Sequence, residues 1–166
     1  KEIKIIGEDK LKQYDLAYHW KKDGNNFIKT NKIVDDKQPQ ILFIERCLQL
    51  LKEGGRMAIV LPNGNFENPS LDYLRYYIKQ KAKVLAIVNL PQETFIPFGT
   101  GVKTSLLFLE KDSKNEEKHY PIFFGRITKL GYQGNKNGTP IYQKDKFGQI
   151  IKDDNKTILE AKFDKD

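Results

Sequence analysis

Cysteine is almost absent from this chain: Cys47 is the only one among 166 residues. That excludes a disulfide framework within the chain and suits a reducing compartment, so a cytoplasmic location is expected. Histidine is nearly as scarce. His19 and His119 have no cysteine or carboxylate cluster at metal spacing, and no metal site is expected. Long apolar runs are missing too. The longest, MAIVL (57–61) and VLAIV (84–88), fall far short of the roughly 20 residues that span a bilayer. The first residues carry no signal-peptide pattern, so no membrane association is expected. There is no G-x-S-x-G nucleophile elbow. The glycines at 99 and 101 lack the third member of a dinucleotide fingerprint and the Gly-Lys pair of a P-loop. All seven prolines stand apart, so no Pro-Pro pair exists.

What is present describes a folded domain. Apolar residues make up 39% of the chain and charged residues 31%, enough for one core and too apolar for disorder. The formal net charge is +7. Residues 143–166 hold six lysines and six acidic residues, so the whole excess lies in 1–142. An excess of this kind permits attraction to a phosphate backbone, although a generally lysine-rich surface accounts for it equally well.

Along the chain, residues 1–6 alternate like a strand. Tyr14, Leu16, Tyr18 and Trp20 alternate as well, but Leu11, Tyr14 and Tyr18 fit a helix equally well. Residues 21–26, with Gly24, suggest a loop. The pattern is firmer from 38 to 52, where Ile41, Ile44, Leu48 and Leu51 follow helical spacing and Phe43, Cys47 and Leu50 widen the stripe. Gly54 and Gly55 offer a left-handed cap. Residues 56–61 then read as a strand buried on both faces, as in a parallel sheet. A polar loop (62–69) leads to Ser70, a candidate cap for a helix built on Leu71, Leu74 and Ile78, and 83–90 is a second buried strand. The strand at 103–110 is separated from it by only the twelve residues 91–102, too few for a comfortable helical crossover, so it is expected to run antiparallel. A charged turn (112–118), a fourth strand (120–127), a loop (131–138) and a hairpin return (139–142) follow. Residues 143–166 read as a polar arm or linker with one helical turn, and no internal repeat is evident. The expected architecture is α/β, with a main domain over 1–142.

Three groups of residues merit weighing as a site. Phe95 and Phe98 flank Pro97 in the loop at the carboxyl end of strand 83–90, the edge where open α/β sheets bind ligands. They suit stacking on a base or, equally, anchoring of the loop by aromatic burial. Gly99, Gly101 and Lys103, followed by Thr104, offer backbone N–H groups and one cation to a phosphate, or simply a bend into the next strand. Asn63, Asn65 and Asn68 follow strand 56–61; such amides can bind a base or ribose, but ordinary turn chemistry explains them better. No residue is assigned a catalytic role.

The segments QPQILFIERCLQLLKEGGRMAIVLPNG (38–64), LRYYI (74–78), KVLAIVNLPQETFIPFGTGVKTSLLFLEK (83–111) and IFFGRITKLGY (122–132) resemble the later half of an adenine-N6 DNA methylase domain. The likeness is closest to the modification subunit of type I restriction–modification systems. It covers roughly 38–132, and its most specific part is LPQETFIPFGTGVKT, in which Phe98-Gly99 is an insertion ahead of Thr100.

The resemblance implies part of a class I S-adenosylmethionine-dependent methyltransferase fold: a Rossmann-like sheet, mostly parallel with one antiparallel strand. It implies S-adenosylmethionine as cofactor of the intact parent, and DNA plus specificity and restriction subunits as partners. Phe95 would stack on the flipped adenine and Lys103 would contact the backbone, with Phe98, Gly99, Gly101 and Asn63 on the DNA side. The family's Gly-rich cofactor turn and its Asn/Asp-Pro-Pro-aromatic catalytic motif have no counterpart here. The expectation is therefore a fragment that cannot methylate alone; a non-catalytic module binding DNA or a partner subunit is the alternative.

Overall fold

The computed structural model describes residues 7–34, 38–114, 119–155 and 157–159. It comprises two compact units. One holds the described residues up to Val88 with Ser105–Gly125; the other holds Asn89–Thr104 and the described residues from Arg126 onward.

The first unit opens on an antiparallel hairpin, β1 (Tyr18–Asp23) and β2 (Asn26–Ile33), paired from Asp23↔Asn26 outward. Of the polar stretch 21–26 expected as a loop, only Gly24 (φ +59°) and Asn25 form a turn; Lys21, Lys22 and Asp23 end β1 and Asn26 opens β2. A two-residue connection, Gly24-Asn25, with a left-handed glycine matches the twist of a hairpin, and that pair is the signal for it. The alternation of Tyr18 and Trp20 is therefore that of a strand. Trp20 lies 6.4 Å from Tyr73 and 6.1 Å from Tyr77, ring centroid to ring centroid. The strand expected at 1–6 lies outside the described residues.

Helix α1 (Pro39–Leu50) starts on a proline, tolerated where no intrahelical donor is needed. It buries Ile41, Leu42, Ile44 and Leu48. It ends in an extended Leu51, ahead of the expected glycine cap, and Gly54 (φ +71°) instead shapes the turn into the next strand. Helix α2 (Asp72–Lys81) buries Tyr73, Leu74, Tyr77 and Ile78. Ser70 does not cap it. Ser70 sits in the preceding 3-10 turn, where Asn68 Oδ1 accepts from its N–H at 2.9 Å.

Four strands form the main sheet: β3 (Arg56–Pro62), β4 (Ala82–Asn89), β5 (Thr104–Lys111) and β6 (Phe123–Arg126), in the order β3-β5-β4-β6. Gly54 N–H donates to Lys111 C=O (2.9 Å) and Lys111 N–H to Gly55 C=O (2.8 Å), so the end of β5 meets the start of β3. Asp112 N–H donates to Lys81 C=O (3.0 Å), so the end of β5 also meets the start of β4. β5 thus runs antiparallel to both neighbours, as its short connection requires. β4 and β6 share a direction, because Ile127 N–H follows β6 and donates to Asn89 at the end of β4 (2.9 Å).

Three expectations for the strands need correction. The strand expected to be buried over 83–90 is half-buried over 83–88 and exposed at Asn89. β3 is not buried on both faces: it stands at one margin of the sheet, and its residues alternate in burial, with Val60 44% exposed. β6 is shorter than 120–127, since Pro121 has no N–H for the ladder. The central β5 is the most deeply buried strand, with Thr104, Ser105, Leu107 and Leu109 out of solvent.

In the second unit, the polar tail contains no helix among its described residues. Gln143 N–H donates to Leu159 C=O (3.0 Å), Ile151 N–H to Gln143 C=O (2.9 Å) and Leu159 N–H to Ile151 C=O (3.1 Å). Each return is shaped by an aspartate. Asp145 Oδ1 accepts from Phe147 and Gln149 N–H, both at 2.9 Å, and Asp153 Oδ1 accepts from Thr157 N–H at 2.7 Å. The matched bridges Lys144↔Ile150 and Lys152↔Ile158 reveal a short repeat that the sequence reading does not detect.

One buried charge holds the first unit's entry in place. Glu45, on α1, is only 1% exposed, and its carboxylate accepts from Asp15 and Leu16 N–H, each at 2.8 Å. Burial raises its pKa above the ordinary 4.5, against the lowering effect of those two bonds. The folded state therefore binds this proton more tightly than the unfolded chain. The group's contribution is complete below pH 4.5 and falls as pH rises through the raised value. Replacing Glu45 by alanine leaves two inward N–H groups unpaired and is expected to cost about 2–4 kcal/mol. Urea unfolding at neutral pH checks this. Glu45→Gln should flatten the wild-type decline in stability with pH.

Candidate nucleic-acid interface

The loop between β4 and β5 is closed at its neck by Leu90 N–H donating to Thr104 C=O at 3.1 Å. Inside it, Gln92–Phe98 forms a 3-10 segment rather than irregular loop. Pro91 sets its entry, and Thr94 returns both its N–H (3.1 Å) and its hydroxyl (2.6 Å) to Pro91 C=O. Gly99, at φ +89°, ends it in the left-handed region, which glycine occupies without a steric penalty. Gly99 N–H donates to Ile96 C=O and Thr100 N–H to Phe95 C=O. The inserted Phe98-Gly99 pair is thus what carries the last turn and its cap.

This turn sets the two rings. Phe95 and Phe98 lie 6.3 Å apart with planes inclined by 57°. Phe95 is half-buried, and Phe98 is 77% exposed beside it. Gly101 has no left-handed backbone and no atom within 4 Å of where a Cβ would stand, so neither space nor conformation demands a glycine there. Lys103 is exposed on the residue before β5. It lines an open cavity of about 400 Å3 with Glu93, Arg126 and Thr128.

Three residues absent from the sequence reading fix the aromatic loop, and all come from the glycine-rich segment 131–138. Tyr132 Oη donates to Thr94 C=O at 2.5 Å. A Cβ on Gly134 would fall 2.5 Å from Glu93 Cβ, and one on Gly138 would fall 3.0 Å from Pro97 Cγ. The density of glycines in GYQGNKNG is the available signal; its partner is not legible from sequence. Arg126, the last residue of β6, was also missed.

Asn63 belongs to the first unit, where its Oδ1 accepts from Ser105 Oγ at 2.8 Å and its C=O from Phe66 N–H at 2.9 Å. Asn65 is buried, with Nδ2 donating to Pro62 C=O at 3.1 Å. With Asn68 bound to Ser70, these amides build the loop that carries them. Among the described residues, no group of three histidine, cysteine or acidic side chains stands ready for a metal. No helix among them is long and apolar enough to cross a membrane.

Comparison with known proteins places this geometry. The N-6 DNA methylase family model matches residues 12–161. The chain belongs to that family. A curated relative, the type I restriction enzyme EcoEI methylase subunit of Escherichia coli, is 32% identical over 77 residues, or 46% of this chain. The matched stretch spans 16% of that relative's length. Among solved structures, a putative class I S-adenosylmethionine-dependent methyltransferase from Listeria monocytogenes matches with a TM-score of 0.50 at 21% identity, over 72% of this chain and 32% of its own. The fold is accordingly that of class I methyltransferases, α/β with a mostly parallel sheet. A modification subunit of a putative type I restriction enzyme from Vibrio vulnificus YJ016 matches at 16% identity and a TM-score of 0.48, over 90% of this chain and 38% of its own.

If Tyr132 holds the N6-methylase aromatic loop, Tyr132→Phe should cost about 1 kcal/mol of local stability. Amide exchange at Gly99 and Thr100 should then quicken roughly fivefold by the same energy. Hydrogen-exchange mass spectrometry of peptides covering 92–100 checks this, with the tail peptides as internal reference.

Proposed function

We propose that this chain supplies the target-base side of an adenine-N6 DNA methyltransferase subunit of a type I restriction–modification system. The aromatic pair, exposed Phe98 beside half-buried Phe95, carries this reading. A ring that is 77% exposed and held on a capped, buttressed turn contributes little to folding and is free to take a base. The family match supports adenine in DNA as the target. The exocyclic amine of adenine is out of reach inside a duplex, so the base must be rotated out and stacked. Phe95 is proposed to stack on it, with Phe98 closing the open side. Gly99 and Gly101 let the strand backbone approach, and Lys103 meets its phosphate. Asn63, in the other unit, is proposed as a separate DNA contact.

S-adenosylmethionine is the proposed methyl source of the intact subunit. The cavity lined by Lys103 and Arg126 does not fit it: the only carboxylate there, Glu93, is exposed, and nothing in the lining resembles a ribose-binding acid on a glycine turn. The chain alone is proposed not to transfer a methyl group. In the whole subunit its task is to hold the amine in line, with DNA and the specificity and restriction subunits as proposed partners.

Phe95→Ala in the intact parent subunit, assembled with its partners, should lower kcat/KM for adenine methylation by about 5- to 150-fold, equivalent to 1–3 kcal/mol of lost stacking. Phe95→Trp should keep most of the rate. Unchanged methylation in Phe95→Ala would sink the stacking role. Salt-sensitive DNA binding with no dependence on Phe95 would favour a non-catalytic binding module, which the +7 net charge also suits.

A further inference from the structure

We infer that the cavity at the ends of β4, β5 and β6 is a clamp for a single DNA phosphodiester, with Lys103 and Arg126 as its two arms. This rests on the proposed DNA-facing role and adds a residue to it, Arg126.

The backbone builds the clamp. Asn89 is the last residue of β4, Lys103 immediately precedes β5, and Arg126 is the last of β6. Because β4 lies between β5 and β6, the two cations stand on either side of its end. Two hydrogen bonds tie these walls together: Leu90 N–H to Thr104 C=O at 3.1 Å, and Ile127 N–H to Asn89 C=O at 2.9 Å. Neighbouring strands are about 4.8 Å apart, so the two backbones are separated by roughly 10 Å. That span lets two long side chains converge on one group.

The charge balance selects an anion. Two cations and one carboxylate, Glu93, line the cavity, with Gln92 and Thr128 as neutral polar neighbours. Among the described residues, neither Lys103 nor Arg126 has an acidic oxygen within 4.0 Å, whereas Lys29, Arg56, Arg75 and Lys83 all have one. Glu93 is engaged through its stem, which packs where Gly134 leaves room. Arginine presents a planar fork that matches two phosphate oxygens, and lysine adds a point charge.

Position selects a nucleic acid over a free anion. Gln92, on the cavity wall, lies one 3-10 turn before Phe95, a rise of roughly 6 Å. With strand phosphates about 3.4 Å apart along a duplex, that is one to two nucleotide steps. A phosphate seated between the cations would therefore flank the base against the rings.

The test is fluorescence anisotropy with the full 166-residue chain and a labelled adenine-containing duplex, titrated from about 50 to 200 mM salt. One shared phosphate predicts that Lys103→Gln/Arg126→Gln lowers the slope of log affinity on log salt by about 0.9, little more than the larger single variant does. Two separate contacts would lower it by about 1.8 and would overturn the shared clamp. Unchanged affinity together with an unchanged slope in Arg126→Gln, with wild-type binding intact, overturns the clamp and leaves the DNA-facing role standing. No wild-type binding at all overturns both. Glu93→Gln supplies a readout that misfolding cannot imitate, since removing the lining carboxylate should raise affinity.

Discussion

The structure depends on the antiparallel insertion of β5 between β3 and β4. A parallel strand in that slot would need a covering crossover, and residues 91–102 are too few to provide one. Reversing the strand frees those residues from crossing the sheet and lets them form a compact loop at one edge. The same reversal presses Ser105, Leu107 and Leu109 into the core, since the strand has a neighbour on each side. Arg56 and Glu110, joined across β3 and β5 at 2.6 Å, mark the register at the opposite end. The loop's aromatics and Lys103 are thus placed by a strand whose own side chains are occupied with packing.

The aromatic loop is rigid for local reasons. Proline at its entry, a proline inside it and a left-handed glycine at its exit leave few backbone alternatives. Tyr132, Gly134 and Gly138 then fill or vacate the space behind it. A loop on this design has most of its ordering complete before any ligand meets it, which keeps the entropy cost of a contact small. The exposed ring is held by main-chain geometry more than by its own burial.

Much of the sheet was legible because its signals are local. Helical spacing at Ile41, Ile44 and Leu48, short apolar strands and a connection too short for a crossover each follow from a few neighbouring residues. What escaped the sequence reading depends on partners distant in the chain. The hairpin at Gly24 was hidden by aromatics that satisfy strand and helix periods alike. The 3-10 turn at 92–98 has no periodic stripe to announce it, being too short for one. Asn63, Asn65 and Asn68 read as loop residues with two possible uses; their bonds to Ser105, Pro62 and Ser70 account for how the loop is built. Arg126 carried no local sign at all, since its place beside Lys103 arises only when β6 joins β4. The tail's repeated aspartate turns are spaced regularly but differ in composition, which masks them from simple comparison.

The margin occupied by β3 has a consequence for anyone handling the chain in isolation. Met57, Ala58, Ile59, Val60 and Leu61 form an uncharged run, and among the described strands only β5 pairs with it. Its outward row of amides and carbonyls is a ready template for another copy, and no lysine or proline interrupts the run to discourage that pairing. A positive charge of +7 acts at a distance and does not itself cap such an edge; only a segment or partner laid along the strand does.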